Sequence, residues 1–218
     1  MECSIKTQME HFKITSDSLI RLNQIISSMD DKTFHNHYHI LYDICNSIDG
    51  DITYLEIGAF AGGSASLVAS HLNVKKVISV DLGQPINPSI PIKNVNTFKN
   101  ANCEYTYIQG NSQDQNTIDK VLNSVDEVDI LFIDGDHSKI GAIRDFKNYS
   151  SLVKKGGYIL FDDYMDSQFS PEVKVAVDEL VNDGSFNEFE IIGSLTYPHL
   201  ISTNVSLKSS NEFILKKL

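Results

Sequence analysis

Residues 52–66 read ITYLEIGAFAGGSAS. Ile52, Tyr54, Leu55 and Ile57 form an apolar, β-branched run that stops at Gly58, passes Gly62 and Gly63, and becomes helix-compatible from Ser64 to Leu72. The expected local structure is a strand, a glycine turn and the opening of a helix. Glycines without Cβ atoms and unpaired N–H groups of a first helical turn would together form a cradle for a nucleotide-like ligand. An ordinary βα turn that uses glycine for close packing gives the same pattern, so the rest of the chain has to decide.

At 218 residues with 41% apolar composition, the chain has the size for one domain and a sizeable core. Eighteen basic against 29 acidic residues leave a net charge of -11. That balance repels nucleic acid and anionic membranes, so a small-molecule partner is expected. There is no apolar run of about 18 residues to span a bilayer and no leader-like apolar stretch in MECSIKTQMEHFK, which predicts a cytoplasmic protein. Cys3, Cys45 and Cys103 are far apart and in no metal-ligand spacing, so reduced thiols are expected. Whether the protein forms a homo-oligomer is left open.

Around the opening stretch the chain alternates strands and helices. Apolar runs at 77–80, 105–108, 130–133 and 158–161 alternate with helix candidates at 64–72, 92–100, 117–125, 139–152 and 171–182. This predicts an α/β, Rossmann-like doubly wound sheet, mostly parallel. Segments 189–192 and 212–215 lack an intervening helix and predict an antiparallel C-terminal edge. Residues 1–50, with apolar positions at helical spacing, predict an N-terminal helical cap belonging to the same domain as the Rossmann-like unit at 51–218. Within that cap, His35 and His39 share a helix face, but no nearby Cys or carboxylate completes a metal set; a polar or substrate-facing surface is the better reading.

The polar residues fall at strand ends, where an open parallel sheet places its site. Asp81 follows Gly58 by roughly twenty positions, the separation at which an acid accepts from ribose hydroxyls. The dinucleotide pattern G-x-G-x-x-G is absent, and Glu56 before the turn would repel a pyrophosphate but suit a cationic amino acid moiety, favouring S-adenosylmethionine over NAD. Asp134 and His137 leave the fourth strand, and Asp162 and Asp163 the fifth. Converging acids repel one another unless a cation joins them, and hard oxygen ligands select Mg2+ or a similar ion. Successive strand residues point to opposite faces, so Asp162 and Asp163 both reach an ion only if the chain has already turned. His137 titrates near neutrality and suits a general base; a histidine hydrogen-bonded in a helix N-terminal turn is the plainer alternative.

Five segments in order, YLEIGAFAGGSAS, VISVDLG, GNSQD, DILFIDGDHS and LVKKGGYILFDDY, resemble class I S-adenosylmethionine-dependent methyltransferases. More narrowly they resemble the metal-dependent O-methyltransferase group that includes macrocin O-methyltransferase, the mycinamicin sugar methyltransferases and the cephalosporin hydroxylase-like proteins. The resemblance covers residues from about 50 to 165, with DDKTFHNHYHILYD a weaker extension. It implies Glu56, Gly58 and Ser64 at the methionine end of the cofactor, Asp81 at its ribose, and Ser112 and Asp114 near its adenine. Asp134, beside the cofactor, is implied as a magnesium ligand with Asp162 and Asp163, and His137 as the base. The family often has Glu where this chain has Asp162.

The implied reaction is methyl transfer from S-adenosylmethionine to a hydroxyl, with Mg2+ assistance. A vicinal diol chelates an ion through both oxygens, so a sugar, free or on a glycan, is the leading acceptor. A hydroxylase-like metal enzyme on the same scaffold, an NAD-dependent oxidoreductase and a non-catalytic binding module remain as alternatives.

Overall fold

The computed structural model describes residue 12 and residues 16–29, 38–194 and 212–218. Among the described residues, α1 (Ser16–Ser28) and α2 (His39–Cys45) precede β1 (Ile52–Ile57). There follow α3 (Gly63–Ala69), β2 (Val74–Asp81), α4 (Ser89–Phe98), β3 (Glu104–Gln109), α5 (Gln115–Ser124) and β4 (Val128–Ile133). The chain continues with α6 (Lys139–Tyr149), β5 (Val153–Phe161), α7 (Pro171–Asn182), β6 (Phe189–Ser194) and β7 (Phe213–Lys217).

The seven strands lie in the order β3-β2-β1-β4-β5-β7-β6. β1 to β5 are mutually parallel, while β7 runs antiparallel to both of its neighbours, β5 and β6. The Rossmann-like expectation is borne out, and the reversed strand is the second from the edge, with β6 outside it. His35 and His37, part of the histidine segment singled out in the sequence, lie outside the described residues; His39 is buried in α2.

Strand periodicity sorts the core into two layers. Tyr54, Val77, Ile130, Phe132 and Leu160 face α1 to α4, where Leu22, Ile25, Ile40, Leu67 and Val95 meet them. Leu55, Ile57, Ile78, Leu131, Ile133, Ile159 and Phe161 point the other way, against Val121 of α5, Phe146 and Tyr149 of α6, and Val173, Val177 and Leu180 of α7. A sheet covered on both faces needs near-continuous apolar strands, which is why ITYLEI and VDILFI carry so few polar residues.

Strand order reverses between β1 and β4, and at that switch point the loops leaving the carboxyl ends part and open a crevice. The ladder carries one residue past the strand ends: Gly58 N–H donates to the Val80 carbonyl at 2.8 Å, and Asp134 N–H to the Ile57 carbonyl at 2.8 Å. Gly58 adopts φ +94°, and a Cβ there would overlap the Asp134 carbonyl. The missing side chains at Gly58 and Gly62 make room first for the chain's own backbone. Gly58 admits the backbone of the turn after β4, and Gly62, at φ +81°, admits Pro91 of α4. Gly58→Ala pays both backbone strain and overlap, so it is expected to cost about 2–4 kcal/mol of stability. An unchanged urea unfolding midpoint would contradict that packing.

Candidate active site

A cavity of about 650 Å³ opens at the switch point. Gly58 to Ala61 form one wall, Asp81 and Leu82 the next, Gly110 to Gln113 a third and Asp134 to His137 the fourth, while Tyr38 from the N-terminal region closes over them. Gly58, Asp81, Ser112, Asp134 and His137 line it; Glu56, Ser64, Asp114, Asp162 and Asp163 are not among the lining residues. The strand-end logic thus places half of the expected residues on the cavity surface and the others behind it or beside it.

Asp81 organises the glycine turn. Its Oδ2 accepts from the N–H groups of Ala59 at 2.9 Å and Phe60 at 3.1 Å, and its Oδ1 from Gly83 N–H at 2.6 Å and the Tyr107 hydroxyl at 3.3 Å. Two N–H groups of the loop ahead of α3 are thereby satisfied by a side chain. Phe60 holds a left-handed φ of +43°, a conformation bulky residues rarely adopt.

Glu56 lies under the floor of the cavity, fully buried. Oε2 accepts from the hydroxyls of Ser64 at 2.6 Å and Tyr54 at 3.0 Å, and Oε1 from Ser79 at 2.6 Å. Burial pushes its carboxyl up to about 7, against the pull of those three donors. Glu56 and Ser64 are thus buried behind the cavity surface, whereas a place beside a cationic moiety was expected. Asp114 is exposed and sits at the N-cap of α5.

The acids at the ends of β4 and β5 converge. His137 Nε2 lies 3.1 Å from Asp134 Oδ1, and Nδ1 lies 2.8 Å from Ser170 Oγ. Ser170 donates in turn to Asp163 Oδ2 at 2.7 Å, and the Tyr38 hydroxyl reaches Asp134 Oδ2 at 3.4 Å. The chain turns at Asp163, whose φ of +57° swings its carboxylate toward the histidine, while Asp162 continues the strand direction. Asp134, His137 and Asp163 can each bring one ligand atom within 4.8 Å of the others. Of the expected ligand set of Asp134, Asp162 and Asp163, the fold brings Asp134 and Asp163 together beside His137, while Asp162 is buried and is not part of that group.

Electrostatics follow from that geometry. Burial and the neighbouring Asp162 hold the Asp134 carboxyl well above the usual carboxylate range. The hydrogen bond that Asp134 accepts lifts His137 to about 9, overcoming the burial that opposes it. Asp134 and Asp163, on either side of the ring, both favour its protonated form. Tyr38 and Ser170 were missed in the sequence. Tyr38 stands inside the flagged histidine segment, and Ser170 directly before a helix-opening proline.

Residues 55–164 match the family described as methyltransferase domain. The chain belongs to that family. An uncharacterized protein of Acanthamoeba polyphaga mimivirus is 39% identical over 88% of this chain and 91% of its own. Among solved structures, an O-methyltransferase from Bacillus cereus in complex with SAH shares 18% identity at a TM-score of 0.65, covering 94% of this chain and 92% of that one. The N-methyltransferase NodS from Bradyrhizobium japonicum shares 13% at 0.58, covering 83% and 93%. At such identities the likeness concerns the fold, and that fold carries both O- and N-methylation, so the acceptor atom has to be argued from the site.

Glu56 makes a prediction about stability. Its folded pKa of about 7 exceeds the unfolded value, so the stability it contributes at low pH is lost as pH rises through 7. Raising the pH from 5 to 8 should cost about 2–3 kcal/mol from this group. Urea unfolding of Glu56→Gln should show a shallower pH dependence than the natural protein over that range; parallel curves would refute the assignment.

Proposed function

We propose that this protein is an S-adenosylmethionine-dependent O-methyltransferase acting on a hydroxyl of a small polyol, with a sugar or glycan-linked sugar as the leading acceptor and Mg2+ as its metal. The observation that carries the reading is the juxtaposition of the switch-point cavity with the Asp134–His137–Asp163 cluster at one of its walls. A donor site alone would need only the cavity; two carboxylates and an imidazole beside it supply what an unactivated hydroxyl requires.

The residues fit a hard cation. Asp134 and Asp163 offer carboxylate oxygens, and their repulsion in a largely buried setting is relieved by positive charge. Bound there, a divalent ion supplies Lewis acidity that lowers the pKa of an acceptor hydroxyl. The same charge disfavours the imidazolium and so leaves His137 able to act as the base. Ser170 and Asp163 then hold Nδ1–H, through the path Nδ1–H to Ser170 Oγ and Ser170 O–H to Asp163 Oδ2, which leaves Nε2, beside Asp134 at the cavity wall, as the ring nitrogen that takes up a proton.

For the donor, the cavity is of the size for an adenosyl ligand, and Asp81 at the end of β2 is placed where ribose hydroxyls can share its oxygens. In the transfer itself, the bond from sulfur to the methyl carbon breaks as the bond from the acceptor oxygen forms, and the hydroxyl proton passes to Nε2 of His137. Positioning by the walls and removal of that proton are the parts the chain supplies.

Candidate nucleotide sugars and glycans, incubated with the protein, S-adenosylmethionine and Mg2+, are expected to gain one methyl group by mass spectrometry. Asp134→Asn or a chelator should lower transfer by at least a hundredfold, while S-adenosylmethionine affinity changes by less than about tenfold. Full turnover in chelator would remove the metal from the account.

A further inference from the structure

Helix α2 has seven residues and meets the Rossmann-like unit through a polar contact at each end. At its start Tyr38, the residue before it, reaches Asp134 at the cavity wall. At its end Asn46 Oδ1 lies 3.1 Å from Nε2 of His71, a buried histidine in the corner between α3 and β2. The His71 ring also meets Tyr42 of α2 in a T-shaped contact, with centroids 4.8 Å apart. His71 itself does not line the cavity.

The corner fixes which ring nitrogen carries the proton. Asn73 N–H donates to His71 Nδ1 at 3.2 Å, and a backbone N–H can only donate, so Nδ1 is the bare nitrogen and Nε2–H donates to Asn46. Asn73 has no room to retreat. Its carbonyl accepts from Ile52 N–H at 2.8 Å, and the Asn100 side-chain amide reaches the carbonyls of Ala69, His71 and Val74 at 3.1, 2.7 and 2.9 Å. A proton added at Nδ1 sets two donors against each other across the 3.2 Å to Asn73. Because the corner is pinned, the ring is the part that gives way, and Nε2 leaves Asn46 with it.

Among the described residues, the side chains in polar or ring contact with His71 are Tyr42 and Asn46 of the α2 segment and Asn100 after α4, of which Tyr42 is the titratable one. Lys75 of β2 donates to the Leu72 carbonyl at 2.9 Å and pairs with Asp51 at 3.7 Å. Burial lowers the His71 pKa from its ordinary value. An opened, solvated ring therefore takes up a proton more readily than the closed one, so the contact is at full strength above the ordinary histidine pKa and weakens as pH falls below it.

We propose that His71 is a pH-sensitive latch on α2: neutral, it fixes the C-terminal end of the helix through Asn46; protonated, it releases Asn46 and loosens the segment that carries Tyr38 over the cavity. Ile40, Leu41, Ile44 and Cys45, all fully buried, keep the helix on the core, so protonation raises how often that end opens without detaching it.

Hydrogen exchange of the full chain, followed by mass spectrometry at pH 7.5 and pH 5 and corrected for intrinsic rates, reads the latch directly. Peptides covering α2 should lose protection by about tenfold or more at pH 5 relative to peptides from β4, which report opening of the whole sheet. In His71→Gln, whose side chain does not titrate, protection of α2 relative to β4 should be the same at both pH values, whatever its level. In Asn46→Ala the latch has nothing to release, so α2 should already be less protected at pH 7.5 and the step to pH 5 should shrink. If His71→Gln does not fold, Asn46→Ala carries the test. Equal changes in α2 and β4 in the natural protein, or a full step retained in either variant, would overturn the proposal.

Discussion

The turn leaving β1 and the turn leaving β4 touch backbone to backbone, Gly58 against the Asp134 carbonyl, and the rest of the site depends on that contact. It is possible only because residue 58 has no side chain and takes a left-handed φ. By drawing the two turns together it brings the wall of the cavity and the acid cluster within reach of one ligand. The next neighbours repeat the device in other forms. Asp81 ties the β1 turn to β2 through Ala59 and Phe60, and α6 ties the β3 loop to the β4 loop through Asp145 and Ser112.

A second theme is carboxylate burial. Glu56, Asp134 and Asp145 are all held above the usual carboxylate range, chiefly by burial, in a chain of net charge -11. Hydroxyls partner two of them, Tyr54, Ser64 and Ser79 for Glu56 and Ser112 for Asp145, whereas Asp134 faces the His137 imidazole. Hydroxyls satisfy geometry but do not neutralise charge, so a carboxylate that ionises in the floor or rim would favour a ligand that brings positive charge over a pyrophosphate.

The strands were legible because a sheet covered on both faces leaves uninterrupted apolar runs, and VDILFI or GGYILF can be little else. Pro171 marked its helix start in the same direct way. The fold and its strand-end acids therefore came from local pattern. What did not come from local pattern was depth and direction. Glu56 lies within β1 next to the cavity-lining Ile57, yet it is fully buried with its oxygens on Tyr54, Ser64 and Ser79. Asp162 and Asp163 are identical neighbours, and only the left-handed φ at Asp163 decides which one meets His137. The Ser112–Asp145 and Ser170–His137 pairs join residues 33 positions apart, a distance at which sequence spacing carries no signal.

The central claim is that the switch-point cavity holds a sulfonium adenosyl donor rather than a dinucleotide. Calorimetric titration of the purified protein with S-adenosylmethionine and, separately, with NAD measures it most directly. The account predicts saturable one-to-one binding of S-adenosylmethionine and none of NAD at the same concentrations. Binding of NAD without S-adenosylmethionine would contradict it.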